Sequence, residues 1–254
     1  MLRSSNSLTG LTVNARDGEI GSISDLYIDG LTWEVRYVIV ESGPWLLQKH
    51  VLISPVSFRE PGESEIAVEL TKEQVKNSPS VDTKQPVSRQ KERELHTHYG
   101  WPYYWESAPY LGTTSVPMES PVAQSLFEKT QEDLKHRRKD QNDLRSVEAL
   151  EGYHLRACDE ETGHVEDFIV DTQQWVMRYL IIDTRNWVAG KRVLISPAWI
   201  SDISWNASQL HCVLSAEEIR KAPEYDPAQP VNRQYEELIY DYYGRPRYWA
   251  NPRS

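Results

Sequence analysis

Cysteine is scarce in this chain of 254 residues, which contains only Cys158 and Cys212. Two thiols cannot build a disulfide framework, so a reducing compartment is expected. No run approaches the roughly 18 consecutive apolar residues that a membrane-spanning helix needs. The segment from Met1 to Ser7 lacks the apolar core of a secretory signal. These absences predict a cytoplasmic protein without a membrane span.

Sequence motifs of common enzymes are also missing. The chain contains no glycine-rich phosphate loop, no His-Glu-x-x-His and no Gly-x-Ser-x-Gly pattern. An excess of basic residues is missing too, because the net charge is −10. Nucleic-acid binding normally requires a basic surface. We therefore expect no enzyme, no cofactor and no nucleic-acid partner.

Aromatic residues, in contrast, are abundant: the chain has nine Trp and fourteen Tyr. The chain also repeats itself. A shift of 142 positions aligns residues 8–55 with 150–197, with 19 identities in 48 columns, and a shift of 144 aligns 64–105 with 208–249, with 16 in 42. Such self-similarity indicates one module used twice. We predict module 1 at 1–105, a linker at 106–149 and module 2 at 150–254.

The first part of each module has the pattern of β-strands. From Trp33 to Val40 the apolar and aromatic residues alternate, which predicts a strand with Trp33 on its core face. Five or six short strands in about 60 residues favour a small barrel or sandwich. The fold class is therefore predicted as mainly β with appended helices (α+β), with two small β-barrels related by internal duplication and joined by a partly helical linker.

The second part of each module is predicted to be helical. Thr71 with Gln74, and Ser215 with Glu218, have the spacing of capping boxes. A longer helix follows in each module, with Ser88 or Asn232 as its N-cap and Gly100 or Gly244 after its end. The aromatic-Pro-aromatic segment that closes each module is expected to pack back over the barrel. In the linker, a surface helix is predicted from Ser120, with an apolar stripe at Val122, Leu126 and Phe127.

The repeated strand motif resembles the PRC-barrel family, which includes the cytoplasmic domain of the photosynthetic reaction-centre H subunit and the C-terminal domain of a 16S rRNA maturation factor. The resemblance lies in Asp17-Gly-Glu-Ile-Gly21, Asp25-Leu-Tyr-Ile-Asp29 and Val51-Leu-Ile-Ser-Pro55. It implies a barrel in each half and a docking role without catalytic residues. The positions of the repeated motif are Gly21, Asp25, Asp29, Trp33, Arg36, Tyr37, Pro55, Gly163, Asp167, Asp171, Trp175, Arg178, Tyr179 and Pro197.

Two groups of side chains have a chemical interpretation as well as a structural one. His96 and His98 lie two positions apart on the predicted helix and point about 200° from each other, so they cannot share one metal ion. We expect a packing surface there. Asp25 and Asp29, with Asp167 and Asp171 in the repeat, could divide acid and base roles. A structural role in turns, or pairing with the repeated arginines, is favoured.

Two further aromatic positions are candidates for an interaction surface. Trp45 and Trp187 lie in turns, and we assign them to a surface between modules or toward a partner. The expected function is a non-enzymatic protein-interaction or assembly module with an unknown protein partner. The two modules are expected to pack as a pseudo-dimer, and a homo-oligomer is possible. The alternative is a small-molecule or pigment-binding protein with an aromatic groove between the modules.

Overall fold

The computed structural model describes residues 1–46, 49–81, 87–105, 144–184 and 191–250. The predicted linker helix and Trp187 lie outside these residues. The described chain is mainly β, as predicted, with a few helices. The strands of the N-terminal part are β1 (Leu2–Ser4), β2 (Thr12–Ala15), β3 (Gly18–Asp29), β4 (Val35–Ser42), β5 (His50–Ile53) and β6 (Glu65–Ala67). Those that follow are β7 (Leu144–Ser146), β8 (His154–Arg156), β9 (Glu161–Asp171), β10 (Val176–Asp183), β11 (Arg192–Ile195), β12 (Ile200–Ser204) and β13 (Gln209–Cys212).

These strands form two sheets with the same order of corresponding strands. One sheet has the order β5-β4-β3-β2-β6, and the other has the order β11-β10-β9-β8-β13-β12. In both sheets the long strand, β3 or β9, pairs with its neighbours in an antiparallel arrangement. We call residues 1–105, which contain β1 to β6, the first half, and residues 144–250, which contain β7 to β13, the second half. Duplication as their origin stays a prediction.

Each half donates a strand to the sheet of the other. Strand β1 pairs with β9, with Leu2 opposite Asp171. Strand β7 pairs with β3, with Leu144 opposite Asp29. Both donated strands read Leu-Arg-Ser, and both pairings are antiparallel. The exchange is therefore reciprocal, and it makes the backbone ladder of each half depend on the other half.

The prediction of two closed barrels is not confirmed. Among the described strands, no ladder joins the two ends of either sheet. The reason lies in the short segments that connect the two end strands of each sheet, β5 with β6 and β11 with β12. Between β11 and β12 the chain forms the one-turn 3-10 helix Pro197–Trp199, and after β5 it forms the equivalent turn Pro55–Ser57. A proline at the start of the turn has no N–H to donate, so the ladder is interrupted there.

The helices confirm the predictions from capping residues. They are α1 (Ser5–Leu8), α2 (Lys72–Lys76), α3 (Arg89–Tyr99), α4 (Ala216–Lys221) and α5 (Arg233–Tyr243). Both predicted capping boxes are present, at the start of α2 and of α4. The side chains of Ser88 and Asn232 cap α3 and α5, and each of these helices ends at a left-handed glycine, Gly100 or Gly244.

Trp33 and Trp175 differ from their predicted positions. Both are buried, with 7% exposure, but they precede the strands rather than lie on them. Both adopt a left-handed backbone, with φ of 59° and 54°. The ring of Trp33 contacts Phe168 of the second half, and that of Trp175 contacts Phe58 of the first half. Each tryptophan therefore packs against the other half. Local alternation could not indicate this, because the contact depends on how the halves are arranged.

Two glycines of the repeated motif are required by close backbone packing. Gly21 and Gly163 lie in the left-handed range, with φ of 150° and 156°. A Cβ atom on Gly21 would overlap the carbonyl oxygen of Glu41, and one on Gly163 would overlap that of Asp183. These glycines therefore allow β3 and β9 to approach the ends of β4 and β10.

Candidate functional site: the cleft between the halves

A cleft of about 580 Å³ lies where the two halves meet. We call it the inter-half cleft. One wall comes from the first half and includes Arg36, Phe58, His96 and Tyr104, and the facing wall is the turn 172–175 of the second half. Clefts of this volume fall in the range of small-molecule sites. Beside the cleft the halves are joined directly by backbone hydrogen bonds, from the amide of Val35 to the carbonyl oxygen of Trp175 at 2.7 Å and from the amide of Met177 to that of Trp33 at 2.9 Å.

The arginines and aromatic rings at the cleft are stacked in pairs. The guanidinium of Arg36 lies 4.1 Å from the ring centroid of Tyr104. The equivalent Arg178 lies 4.1 Å from the ring of Tyr248 in the second half. Such stacking of a cation on a ring is stabilising. It confirms that the closing segment of each half, which contains Tyr104 or Tyr248, folds back over the sheet, although Pro246 of the second half is flanked by arginines.

Behind the cleft wall of the first half lies a buried carboxylate cluster. Glu92 is fully buried and accepts hydrogen bonds from the hydroxyls of Tyr37, at 3.0 Å, and of Tyr104. Its other oxygen lies 3.0 Å from Nη1 of Arg89. Burial, followed by the charge of Glu92, raises the pKa of both tyrosines far above the ordinary value of 10. Both tyrosines therefore act as hydrogen-bond donors and keep their protons.

His96 completes this cluster. Its Nδ1–H donates to the carbonyl oxygen of Pro102 at 2.8 Å, and its Nε2 lies 2.9 Å from the Tyr37 hydroxyl oxygen. Burial lowers the pKa of His96, and the nearby charges of Arg89 and Arg36 lower it further. His98 instead contacts the carbonyl oxygen of Gln74 at 2.8 Å. The two histidines are therefore used separately, and His96 packs among aromatic rings as the sequence predicts.

The second half has a matching cluster with one difference. Glu236 accepts hydrogen bonds from the hydroxyls of Tyr179 and Tyr248, both at 2.8 Å, and lies 3.0 Å from Nη1 of Arg233. In the position of His96 stands Tyr240, whose ring packs edge to face against Tyr179 with the centroids 6.4 Å apart. Both halves thus place a buried glutamate beneath an arginine and two tyrosine hydroxyls, but only the first half includes an imidazole.

Asp25 and Asp167 hold the exchanged segments in place. Asp25 accepts hydrogen bonds from the Ser146 hydroxyl at 2.6 Å and from the Glu148 amide at 3.1 Å. Asp167 accepts hydrogen bonds from the hydroxyl of Ser5 and, at 3.2 Å, from the amide of Asn6. Burial raises the pKa of Asp25 above its ordinary value, although these donors oppose the rise. Each aspartate therefore binds residues in or directly after the strand that the other half donates.

Asp29 and Asp171 stabilise the turns that follow them, as predicted. The carboxylate of Asp29 accepts hydrogen bonds from the amides of Leu31 and Thr32 and lies 3.1 Å from Nη2 of Arg36. Burial alone would raise its pKa, but Arg36 and the amide donors outweigh burial, so the pKa lies below the ordinary value. Asp171 pairs with Arg178 at 3.4 Å in the same way. These carboxylates are structural.

Trp45 is partly buried against its own half. Its Nε1–H donates to the carbonyl oxygen of Ile20 at 3.0 Å, and Nζ of Lys72 lies 4.6 Å from the centroid of its ring. Its role in an interaction surface stays a prediction.

Both cysteines are free thiols, and burial raises the pKa of Cys212 to about 11.

The glutamates of the two clusters were not identified as candidates from the sequence. Glu92 and Glu236 are identical positions of the repeat, three residues after the identical Arg89 and Arg233. A glutamate repeated on a helix beside aromatic residues was the available signal. It was ambiguous, because an arginine and a glutamate three positions apart also form ordinary exposed pairs.

The described residues contain neither a cluster of potential metal ligands nor a helix that could span a membrane. Within 1–46, 49–81, 87–105, 144–184 and 191–250, no group of three or more His, Cys, Asp or Glu side chains could hold a metal ion. In the same ranges no helix is both long and apolar enough to cross a membrane.

The first half thus combines a small β-sheet module with helices and a closing aromatic segment, and its buried polar groups serve structural contacts. Comparison with known families identifies a PRC-barrel domain at residues 2–75. This range contains Gly21, Asp25, Asp29 and the Pro55 turn. No curated protein matches the chain.

Proposed function

We propose that this protein is a non-enzymatic interaction or assembly module with a PRC-type unit in each half. The PRC-barrel domain at residues 2–75 supports a non-catalytic role. The second unit is supported by the common strand order and by the matching glutamate clusters. The buried carboxylates contact groups that fix the fold, which leaves them poorly suited to acid-base chemistry.

The observation that carries this proposal is the inter-half cleft itself. Its two walls come from different halves and are held by the reciprocal exchange, so the cleft is a preformed surface. At its rim Val56 is 66% exposed, next to Phe58 and Trp175. A segment of a partner protein can bury the exposed Val56 side chain, and the surrounding polar groups can fix its orientation.

The test compares two substitutions of exposed valines. Val56→Glu places a charge in the cleft, and Val213→Glu places one on an exposed valine, 48% accessible, that does not line it. Affinity purification with quantitative mass spectrometry should recover a protein with the wild type and with V213E but not with V56E. Equal recovery with both variants, or no specific partner with the wild type, would contradict the proposal.

A second candidate function is the binding of a small molecule or pigment in the same cleft. The aromatic rings of Phe58, Tyr104 and Trp175 line it, and its volume suits such a ligand. A ligand that binds the native state raises the melting temperature. A thermal-shift screen against aromatic metabolites and pigments should then give a hit that V56E abolishes and V213E retains. A screen without a hit would favour the protein partner.

The wider setting is also part of our proposal. The free thiols of Cys158 and Cys212 support a cytoplasmic location, and a bacterial source is proposed from the family resemblance alone. The acidic balance of the chain supports a protein partner over a nucleic acid. Similarity to the reaction-centre H subunit or to the rRNA maturation factor, and assembly into a homo-oligomer, are further proposals. Size-exclusion chromatography with light scattering tests the last of these.

A further inference from the structure

The Tyr37 hydroxyl has two acceptors but only one proton when His96 is neutral, although Glu92 also accepts a hydrogen bond from Tyr104. The Tyr37 hydroxyl has one proton, but it lies 3.0 Å from Glu92 Oε2 and 2.9 Å from His96 Nε2. His96 Nδ1 must carry a proton, because the carbonyl oxygen of Pro102 can only accept. In neutral imidazole Nε2 is then also an acceptor. Tyr37 can therefore satisfy only one of its two acceptors at a time.

The second half does not have this shortage. Tyr240 replaces the imidazole, has a hydroxyl proton of its own and packs its ring against Tyr179. Tyr179 donates its proton to Glu236 at 2.8 Å. No imidazole nitrogen therefore competes with Glu236 for the Tyr179 proton. The comparison isolates His96 as the cause of the difference.

We propose that the cluster of Tyr37, Glu92 and His96 is a proton-binding switch: at acidic pH His96 takes up one proton at Nε2 and donates it to Tyr37. Tyr37 then donates to Glu92, so both contacts are satisfied. The positive charge of Arg89, whose Nη1 lies 3.0 Å from Glu92, opposes protonation of that carboxylate, so His96 is the proposed site of uptake. The change places a positive charge behind the inter-half cleft in the first half only.

The groups facing His96 set the pH at which this happens. The charged and titratable side chains around it, or on the same cleft, are Arg36 and Tyr37 of β4, Arg89 and Glu92 of α3, Tyr103 and Tyr104 of the closing segment, and Glu34, Arg59 and Glu60 of the cleft. Burial and the two nearer arginines, Arg89 and Arg36, disfavour the imidazolium, whereas the hydrogen-bond count favours it. The balance lowers the pKa of His96 below 6.5. Uptake therefore occurs at acidic pH.

The most direct test is a nitrogen-15 NMR titration of the full-length protein, with His96 assigned from the spectrum of His96→Tyr. At neutral pH one ring nitrogen should have the shift of a protonated nitrogen and the other that of an acceptor. Below a midpoint lower than 6.5, both should have protonated shifts, and the Tyr37 ring resonances should move with the same midpoint. A midpoint at or above 6.5, or a Tyr37 ring that does not respond, would overturn the proposal.

A pair of exchanged substitutions tests the same idea through stability. In the wild type the folded state resists protonation of His96, so stability is lost as the pH falls below 6.5, the ordinary value in the unfolded chain. His96→Tyr should remove this loss between pH 7 and 5, and Tyr240→His should add a similar loss. Parallel curves of unfolding free energy against pH for the wild type and H96Y would overturn the proposal.

Discussion

The two halves of this protein share a framework and differ in a few side chains fitted into it. Both donate a Leu-Arg-Ser strand to the other, both pack a tryptophan across the junction, and both bury a glutamate beneath two tyrosines. They differ where His96 faces Tyr37 and Tyr240 faces Tyr179. The comparison teaches that the residues which cross between the halves are shared, whereas a side chain that lines the cleft, His96, has a different counterpart in the second half.

The largest effect is expected at the tryptophans of the junction. Trp33→Ala and Trp175→Ala each remove a buried ring that packs against the other half. Deleting a buried large aromatic side chain costs about 3–5 kcal/mol. Urea denaturation should show similar losses for both variants, each in a single transition because the halves unfold together. A loss of unfolding free energy below about 1 kcal/mol, or separate unfolding transitions for the halves, would contradict the claim that both tryptophans stabilise the junction.

A smaller effect is expected from the buried hydroxyls. Tyr179→Phe removes one donor to Glu236, and leaving a buried acceptor unsatisfied costs about 1–3 kcal/mol. Tyr37→Phe also removes one donor, because at pH 7 its single proton serves either Glu92 or His96, so its cost should be similar. Losses in denaturation experiments at pH 7 that differ by more than about 2 kcal/mol would contradict this equivalence.

The two aspartates at the end of β3 should respond to pH with opposite signs. The pKa of Asp29 is lowered by folding, so its contribution is present above the ordinary value of 3.8 and is lost as the pH falls through its folded pKa. Asp29→Asn should therefore cost about 1 kcal/mol at pH 7, and the cost should shrink toward pH 2. The pKa of Asp25 is raised, so ionisation is disfavoured by folding and Asp25→Asn should gain relative stability as the pH rises from 3 to 6. Denaturation is measured across this pH range, and the stability of each variant is compared with that of the wild type. If the difference changes in the same direction with pH for both variants, the assignment is contradicted.

The smallest effect is expected on the exposed surface, where the halves are free to differ. Glu69 pairs with Arg16 and Arg59 in the first half, and Val213 occupies the equivalent position in the second. Exposed ion pairs contribute little to stability, because solvent screens their charges. Glu69→Val should thus change the melting temperature only slightly. A large loss would show that this surface is constrained like the junction.

The elements of the fold were predictable where the signal is local. Thr71 and Gln74 predict a capping box because the two side chains bond backbone groups within one turn. Gly100 and Gly244 predict helix ends because the left-handed backbone suits glycine. Asp29 and Arg36 were expected to pair across a turn, and they do.

The arrangement of the halves was not predictable in the same way. Trp33 continues the alternation of β4, so local periodicity places it on the strand, whereas the structure places it in the turn against Phe168. The Leu-Arg-Ser identity of Leu2–Ser4 and Leu144–Ser146 lies ahead of the main repeat. Even when it is noticed, three residues do not reveal which sheet they join, because either sheet offers an equivalent edge.

That ambiguity defines the most direct test of the account, whose central claim is the reciprocal strand exchange. Cross-strand NMR contacts should connect Arg3 with Val170 and Arg145 with Ile28, as the pairing of β1 with β9 and of β7 with β3 requires. If contacts connect Arg3 with Ile28 and Arg145 with Val170, each half keeps its own strand, and the account of the junction and its cleft is wrong.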